Sequence, residues 1–509
     1  MVTSNATENQ SAPKELDYEV LVVGCGFAGI GTGIKLNKIG IRDYLILEKA
    51  ADLGGAWRDN TYPGLAVDIP GLTYSFSFEQ NPNWSGLYPP GIELKRYADH
   101  CADKYDVRSH IRFNAAVTRA VYDQERNRWT TYLDNGETIT SRYLVSASGF
   151  LSIVKMPAIA GIDSFKGKIL HTARWDHHYD LNGKRVGFIG TGATAIQLIP
   201  EITPKLKSLA VYQRTPIWLL PKADIKISRG MQMAFKYVPL LQRAARLTLS
   251  MFTDLVFIHG LIRYKRFERL MKWTEKQCIA HIRRQVKDPA IQEKLIPRYS
   301  FGCKRPSFTS KFYPVFNREN VELVTTPIAR VTENSIVTTD GKEREIDTLI
   351  CATGFQVFEK GALPTFRIYG KNGVELSDFW DTHRYSAFMG ATIPNYPNFF
   401  LIFGPYSLSN ASYFGMIENQ TRHMARCLQA ARRQHANYIE IKKEAHEQDF
   451  QYVLEKAKKT IFAVGDCAAS NSYYFDSHGD SPAIRPVTSI EAWAKSHLFS
   501  MNNYSFAAK

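Results

Sequence analysis

Two glycine-rich turns, each followed at the same distance by a charged residue, mark places in this chain where phosphates and riboses can be held. The first reads Gly24-Cys25-Gly26-Phe27-Ala28-Gly29 and the second Gly190-Thr191-Gly192-Ala193-Thr194-Ala195. Glycines in such turns let the backbone pass tightly beneath a pyrophosphate, and the helix that follows offers free N–H donors and positive potential. Counted onward from the first glycine of each turn, the same step lands on Glu48 in one case and on Arg214 in the other. An acid there accepts hydrogen bonds from a ribose with a free 2′-hydroxyl, whereas an arginine neutralises a 2′-phosphate. The change of sign predicts FAD in the first site and NADPH in the second, and that pairing implies electron transfer between them.

Further blocks surround the turns. Gly54-Gly55-Ala56-Trp57 follows the first, Tyr62-Pro63-Gly64 runs on to Asp68, and Cys303-Lys304-Arg305-Pro306 lies beyond the second. Between them, Phe165 to Asp176 fits the pattern F-x-G-x-x-x-H-x-x-x-W-[PD], with Phe165, Gly167, His171 and Trp175 as fixed members. Two A-[ST]-G segments complete the set, Ala147 to Gly149 and Ala352 to Gly354. On these blocks, from about Glu19 to about Trp493, the chain resembles the Baeyer–Villiger monooxygenases, flavoproteins that insert one atom of O₂ into a ketone to give an ester or lactone. The flavin monooxygenases that oxidise nitrogen and sulfur look similar but usually carry Tyr or Phe where this chain has Trp175, and they are the alternative reading.

Reduced flavin reacts with O₂ to give a peroxide on flavin C4a, and attack on a ketone needs that peroxide deprotonated and shielded from water. A fixed cation beside it supplies the stabilisation. Arg305 is the candidate, because a guanidinium is always charged and can bridge two acceptors. The resemblance implies the same role and makes Asp68 its acidic partner. It also implies that Gly55, Ala56, Trp57 and Tyr74 surround the isoalloxazine; Val117 and Gln197 join the candidate cofactor contacts. On the NADPH side, Arg214 and Thr215 end the strand where the 2′-phosphate belongs, and Lys304 either reaches that phosphate or is a surface lysine.

Plainer readings stand beside these. Arg305 fits an interdomain salt bridge and Asp68 a turn cap. His171 has the chemistry of a base or ligand, but its place in the linker between two nucleotide folds favours a structural hinge, with Trp175 packing it. His177 and His178, with Asp176 and Asp180, lack further spaced ligands, so no metal is expected. Asn471-Ser472-Tyr473-Tyr474 stands where many family members have Ser-Trp-Tyr, which leaves the role of that loop open.

The elements that must position these residues are legible in the same stretches. Tyr18 to Val23 and Tyr44 to Leu47 read as buried strands around a helical pattern from Ile30 to Ile39, and Arg185 to Ile189, Ala193 onward and Ser208 to Tyr212 repeat the arrangement. A meander turning at Asp134-Asn135-Gly136 leads to Tyr143–Ser146. The fold class expected is α/β, with two dinucleotide-binding domains, the NADP domain inserted in the FAD domain, and a helical insertion. The boundaries expected are a flexible tail 1–17, FAD domain 18–152 and 357–509, NADP domain 153–221 and 299–356, and a helical subdomain 222–298.

Composition bounds the rest. A length of 509 residues with 44% apolar content describes an ordered protein of several domains. The net charge of +15 invites a nucleic-acid reading, but no nucleic-acid signature accompanies it and phosphate-bearing cofactors account for part of it, so none is expected as a partner. Basic residues concentrate between Arg243 and Arg284, interleaved with apolar ones; a solvated helical face explains them, and peripheral contact with an anionic membrane is the sharper alternative. Seven scattered cysteines show no close pair, which argues against a disulfide framework and for a reducing, cytoplasmic compartment. The remaining partners expected are a small-molecule ketone and O₂.

Overall fold

Alternating apolar strands and amphipathic helices build one mixed and one all-parallel sheet in the computed structural model, which describes residues 16–409 and 412–508. The expected tail 1–17 lies outside the described residues except for its last two. In chain order, the first sheet contributes β1 (Tyr18–Val23), α1 (Phe27–Lys38), β2 (Tyr44–Leu47), β3 (Ile111–Arg112), β4 (Val117–Asp123), β5 (Arg128–Leu133) and β6 (Thr138–Ser146). β1 lies between β2 and β6 and runs parallel to both, with Val22 opposite Ile46 and Val145. Val20, Leu21 and Val22 are fully buried, as expected of a central strand in a parallel sheet whose faces are covered. β4 and β5 form an antiparallel meander that leads into the first half of β6.

The second sheet holds β7 (Lys168–His171) and β8 (Arg185–Ile189), then α2 (Ala193–Ile202) and β9 (Ser208–Tyr212). A helical excursion follows, with α3 (Arg229–Tyr237), α4 (Pro239–Thr253) and α5 (Tyr264–Gln285), before β10 (Val321–Val324) and β11 (Thr348–Cys351) return to the sheet. Its strand order is β10-β9-β8-β11-β7, all parallel. The chain then rejoins the first sheet at Arg367–Tyr369, parallel to β4, and again through β12 (Phe399–Leu401), parallel to the second half of β6. The long helix α6 (Tyr413–Arg433) comes next and brings Ile417 against Gly31 of α1.

One expectation is corrected. Cys303 and Cys467 form a disulfide although 164 residues separate them; the other five cysteines are free and buried. Spacing along the chain says nothing about cysteines that only the fold brings together.

Candidate active site

The two glycine turns are held in the same way. Gly24 has φ +101° and Gly190 φ +111°, and a Cβ on either would sit 2.7 Å from the Ala147 carbonyl or 2.5 Å from that of Ala352. Each A-[ST]-G segment therefore backs onto the first glycine of one turn, a conformation and a closeness that only glycine tolerates. Gly29 is equally constrained, since its Cβ would meet the Gly24 carbonyl. Space opens on the other side: a Cβ on Gly192 would have no atom within 4 Å, and one on Gly26 would be approached only by Gly55, at 3.7 Å. These two glycines precede α1 and α2, whose N-termini carry no side-chain cap, leaving free N–H donors and positive potential toward that space.

The first turn opens on a cleft of about 460 Å³ lined by Gly24, Gly26, Phe27, Ala28, Glu48, Gly55 to Trp57, Asp68, Tyr74, Val117, Ala193 and Arg305. Residues from both nucleotide folds thus share one cavity. Glu48 is buried at the end of β2, where its carboxylate accepts from the Cys25 and Ala50 amides at 2.9 and 3.1 Å. Burial and the neighbouring Glu48 push the Cys25 thiol pKa far up, so it is no nucleophile. The Trp57 indole donates to the Tyr74 hydroxyl at 3.2 Å, and the two rings meet edge to face.

Arg305 enters this cleft from the segment after Cys303. Its Nη2 donates to Asp68 Oδ1 at 2.5 Å, with the arginine side chain 40% and the aspartate 21% exposed. The Asp68 carboxylate above all raises the guanidinium's pKa, with Tyr473, Tyr474 and Tyr74 adding to the effect against the cost of burial. A permanent cation is thereby fixed at the mouth of the cavity with one edge committed to Asp68 and the rest available.

Toward the second turn, Lys304 and Arg214 are neighbouring cations. Burial first, and Arg214 next, lower the Lys304 pKa to about 8. Among the described residues no carboxylate forms an ion pair with either cation. Thr215 accepts at its hydroxyl from the Asn471 amide at 2.8 Å and at its carbonyl from Thr191 at 3.2 Å, so the C-terminal loop reaches the end of β9. Gln197 is engaged otherwise: its amide bonds the Tyr62 hydroxyl and the main chain of Ala66, clamping α2 onto the segment that carries Asp68. Thr194 and Ala195 form the first turn of α2, and Ala195 is fully buried.

His171 closes β7 with 7% exposure. Its Nδ1 accepts from the Ala173 amide at 3.1 Å, and burial, then Arg174, lower its pKa to about 4. It is neutral at neutral pH and tied to the main chain. Phe165 packs in the core of the second sheet and Trp175 at the edge of that domain. A Cβ at Gly167 would strike the Asp347 carbonyl. Among the described residues no group of His, Cys, Asp or Glu could hold a metal ion.

Residues 21–232 match the family model for pyridine nucleotide-disulphide oxidoreductases. A Baeyer–Villiger monooxygenase of Pseudomonas aeruginosa is 36% identical over 91% of this chain and 87% of its own length. The chain belongs to the Baeyer–Villiger monooxygenases. A second member, from Streptomyces coelicolor, is 36% identical over 93% of the chain and 89% of its own. The solved structure of OTEMO in complex with FAD and NADP covers 97% of this chain and 100% of its own, with TM-score 0.85 and 29% identity.

Sequence reasoning about this Baeyer–Villiger monooxygenase missed several cleft residues. Arg58 bonds Glu48 at 3.0 Å; a buried carboxylate needs a partner, and a lone arginine just after Gly-Gly-x-Trp was the signal. Phe150 stacks on Phe403 with ring centroids 3.9 Å apart, and both it and Tyr413 line the cavity or its wall. Nothing in the sequence marks Phe150, because a loop far from Tyr413 in the chain supplies it; Tyr413 falls in the stretch 406–414, from which the sequence predicts part of the substrate pocket.

Proposed function

We propose that the cleft oxygenates ketones with NADPH and O₂, inserting one oxygen atom beside the carbonyl to give an ester or lactone, with Arg305 as the fixed cation at the reacting centre and Asp68 as its positioning partner. Family membership supports the reaction class, and the observation that carries the residue roles is the Arg305–Asp68 pair at the mouth of a cavity shared by both nucleotide folds. The residues fit the two nucleotides: uncapped helix starts and open space at Gly26 and Gly192 suit pyrophosphates, Glu48 suits a ribose, and the unpaired Lys304–Arg214 doublet suits a 2′-phosphate. When bound, FAD supplies the redox chemistry that reduces O₂, with NADPH as the source of electrons.

The protein's own residues do the rest. Arg305 stabilises negative charge that develops beside the carbonyl carbon, and Asp68 keeps the guanidinium aimed. Trp57, Tyr74, Phe150 and Tyr413 wall the space with aromatic surface that excludes water. Dependence on NADPH supports a cytoplasmic location, whereas the Cys303–Cys467 disulfide is of a kind more usual in oxidising compartments. The cavity lining is largely apolar apart from Arg305, Asp68 and the residues around Glu48, which suits bulky, apolar carbonyl compounds.

Arg305→Ala should lower ester formation by at least roughly a hundredfold while FAD content stays at the wild-type level. Mass detection of a single-oxygen gain on linear, cyclic and polycyclic ketones, with a thioether alongside, reads both the reaction and its range. Ester formed at the wild-type rate by Arg305→Ala overturns the role given to Arg305.

A further inference from the structure

Helix α4 carries apolar residues on both of its faces. Its inward face sets Ala245 and Leu249 against the core beside Gln242 and Arg246. The Gln242 amide donates to the Asn81 carbonyl at 2.7 Å, and Arg246 donates to the Leu72 carbonyl at 2.8 Å and the Ser75 hydroxyl at 3.0 Å. Its outward face carries Leu240, Ala244, Leu247 and Met251, and Leu255 of the helical turn that follows (Asp254–Ile258) continues the stripe, all spaced three or four residues apart as one helical stripe demands. Leu240 is 72%, Leu247 61%, Met251 64% and Leu255 56% exposed. A helix bordered on its outer side only by water turns its apolar face inward. A second apolar stripe left facing outward calls for an apolar neighbour outside the molecule.

Charge identifies that neighbour. Lys226, Arg229, Lys236 and Arg243 are exposed along the same segment, and residues 225–253 contain no aspartate or glutamate. Asp254 then binds the Ser489 hydroxyl at 2.5 Å, which anchors beside this end of the face a helix with Ile490 77% and Trp493 55% exposed. Leucines flanked by cations, with an indole close by, match the boundary where acyl chains meet anionic headgroups. A symmetric pairing of two copies through this face would set the same cations against one another, which opposes it.

We propose that the outer face of α3 and α4 docks the enzyme on an anionic lipid bilayer. An apolar substrate dissolved in that bilayer then lies next to the enzyme, although the docking itself does not depend on which compound is oxidised.

The test sediments the FAD-loaded full chain with vesicles of phosphatidylcholine and phosphatidylglycerol and, separately, with pure phosphatidylcholine. Binding is expected to the first and not the second, and to weaken at least roughly tenfold from low to high salt as the cations are screened. Leu247→Glu and Arg243→Glu should each lose roughly tenfold in vesicle affinity while ketone turnover in solution is unchanged. Val374→Glu, altering an exposed valine of the first domain, should bind as wild type. Wild-type protein left in the supernatant, or equal binding to neutral vesicles, overturns the proposal. So does a dimer in sedimentation velocity that Leu247→Glu splits, which would assign the face to a second copy.

Discussion

On the proposed reading, single side chains decide which nicotinamide nucleotide the second site accepts. Lys304 and Arg214 are two neighbouring cations with no acid between them, and their repulsion is relieved only by an anion placed between them. Lys304 titrates at about 8 because burial and Arg214 disfavour its charge. The free protein therefore loses this cation as pH rises through that value, and the KM for NADPH should be level below pH 8 and climb above it. The KM for NADH, which has no 2′-phosphate, should stay flat across the same range. Lys304→Met should flatten the NADPH profile, and Arg214→Ala should raise the NADPH KM roughly ten- to a hundredfold, as loss of a charge-assisted bond to phosphate does. Stability runs the other way: the unfolded chain holds the Lys304 proton up to about 10.5, so the nucleotide-free protein gains stability between pH 8 and 10.5. Glu48 and Arg214 were legible in the sequence because each closes a strand at a fixed step from a glycine. The closeness of Lys304 to Arg214 was not, since Lys304 arrives from the far side of the helical excursion.

At the scale of elements, each nucleotide turn is a strand, a glycine loop and a helix pressed against an A-[ST]-G segment from elsewhere in its sheet. The two glycines of the second turn have opposite demands, which a pair of substitutions separates. Gly190→Ala forces a Cβ onto the Ala352 carbonyl at a left-handed φ of +111°, so it should lower the melting temperature and the yield of folded protein. Gly192→Ala meets no protein atom within 4 Å and has an ordinary φ of −78°; it should fold as wild type and keep its FAD, yet raise the NADPH KM by filling the space beneath the pyrophosphate. Melting curves and NADPH kinetics on the same two proteins read both effects, and a Gly192→Ala protein with unchanged NADPH KM would remove the pyrophosphate from that space. The strands β1, β2, β8 and β9 were readable to the residue, because a buried parallel strand is a continuous apolar run. Of the helices, α2 starts at Ala193 as expected, whereas α1 starts at Phe27, three residues before its periodicity suggests, since a first turn over glycines or aromatics carries no amphipathic signal. The outward stripe of α4 was invisible as such, because a leucine stripe reads the same whether it points in or out.

For the whole molecule, the two sheets each draw strands from both sides of an excursion, so the active cavity is assembled where distant segments converge. Apolar runs foretold the sheets; the covalent tie between the segments was not foretold, because a cysteine alone in its neighbourhood gives no partner. The Cys303–Cys467 bond joins the residue just before Lys304 and Arg305 to the loop that carries Asn471 and Tyr473. It closes a span of 164 residues in the unfolded chain, and tying so long a loop is worth on the order of 2–4 kcal/mol by restricting that chain. Alkylation of the denatured protein should trap five thiols before reduction and seven after it. Cys303→Ser should melt several degrees lower and should also raise the NADPH KM, because the loop that touches Thr215 through Asn471 is then free to swing from the cation doublet. Cys467→Ser should reproduce both changes, as removal of either sulfur breaks the same link. A Cys101→Ser control, at a buried free thiol remote from the loop, should leave the NADPH KM unchanged. Seven alkylated thiols without reduction would show that the loop is held by packing alone, and the two serine variants would then leave NADPH binding as it was.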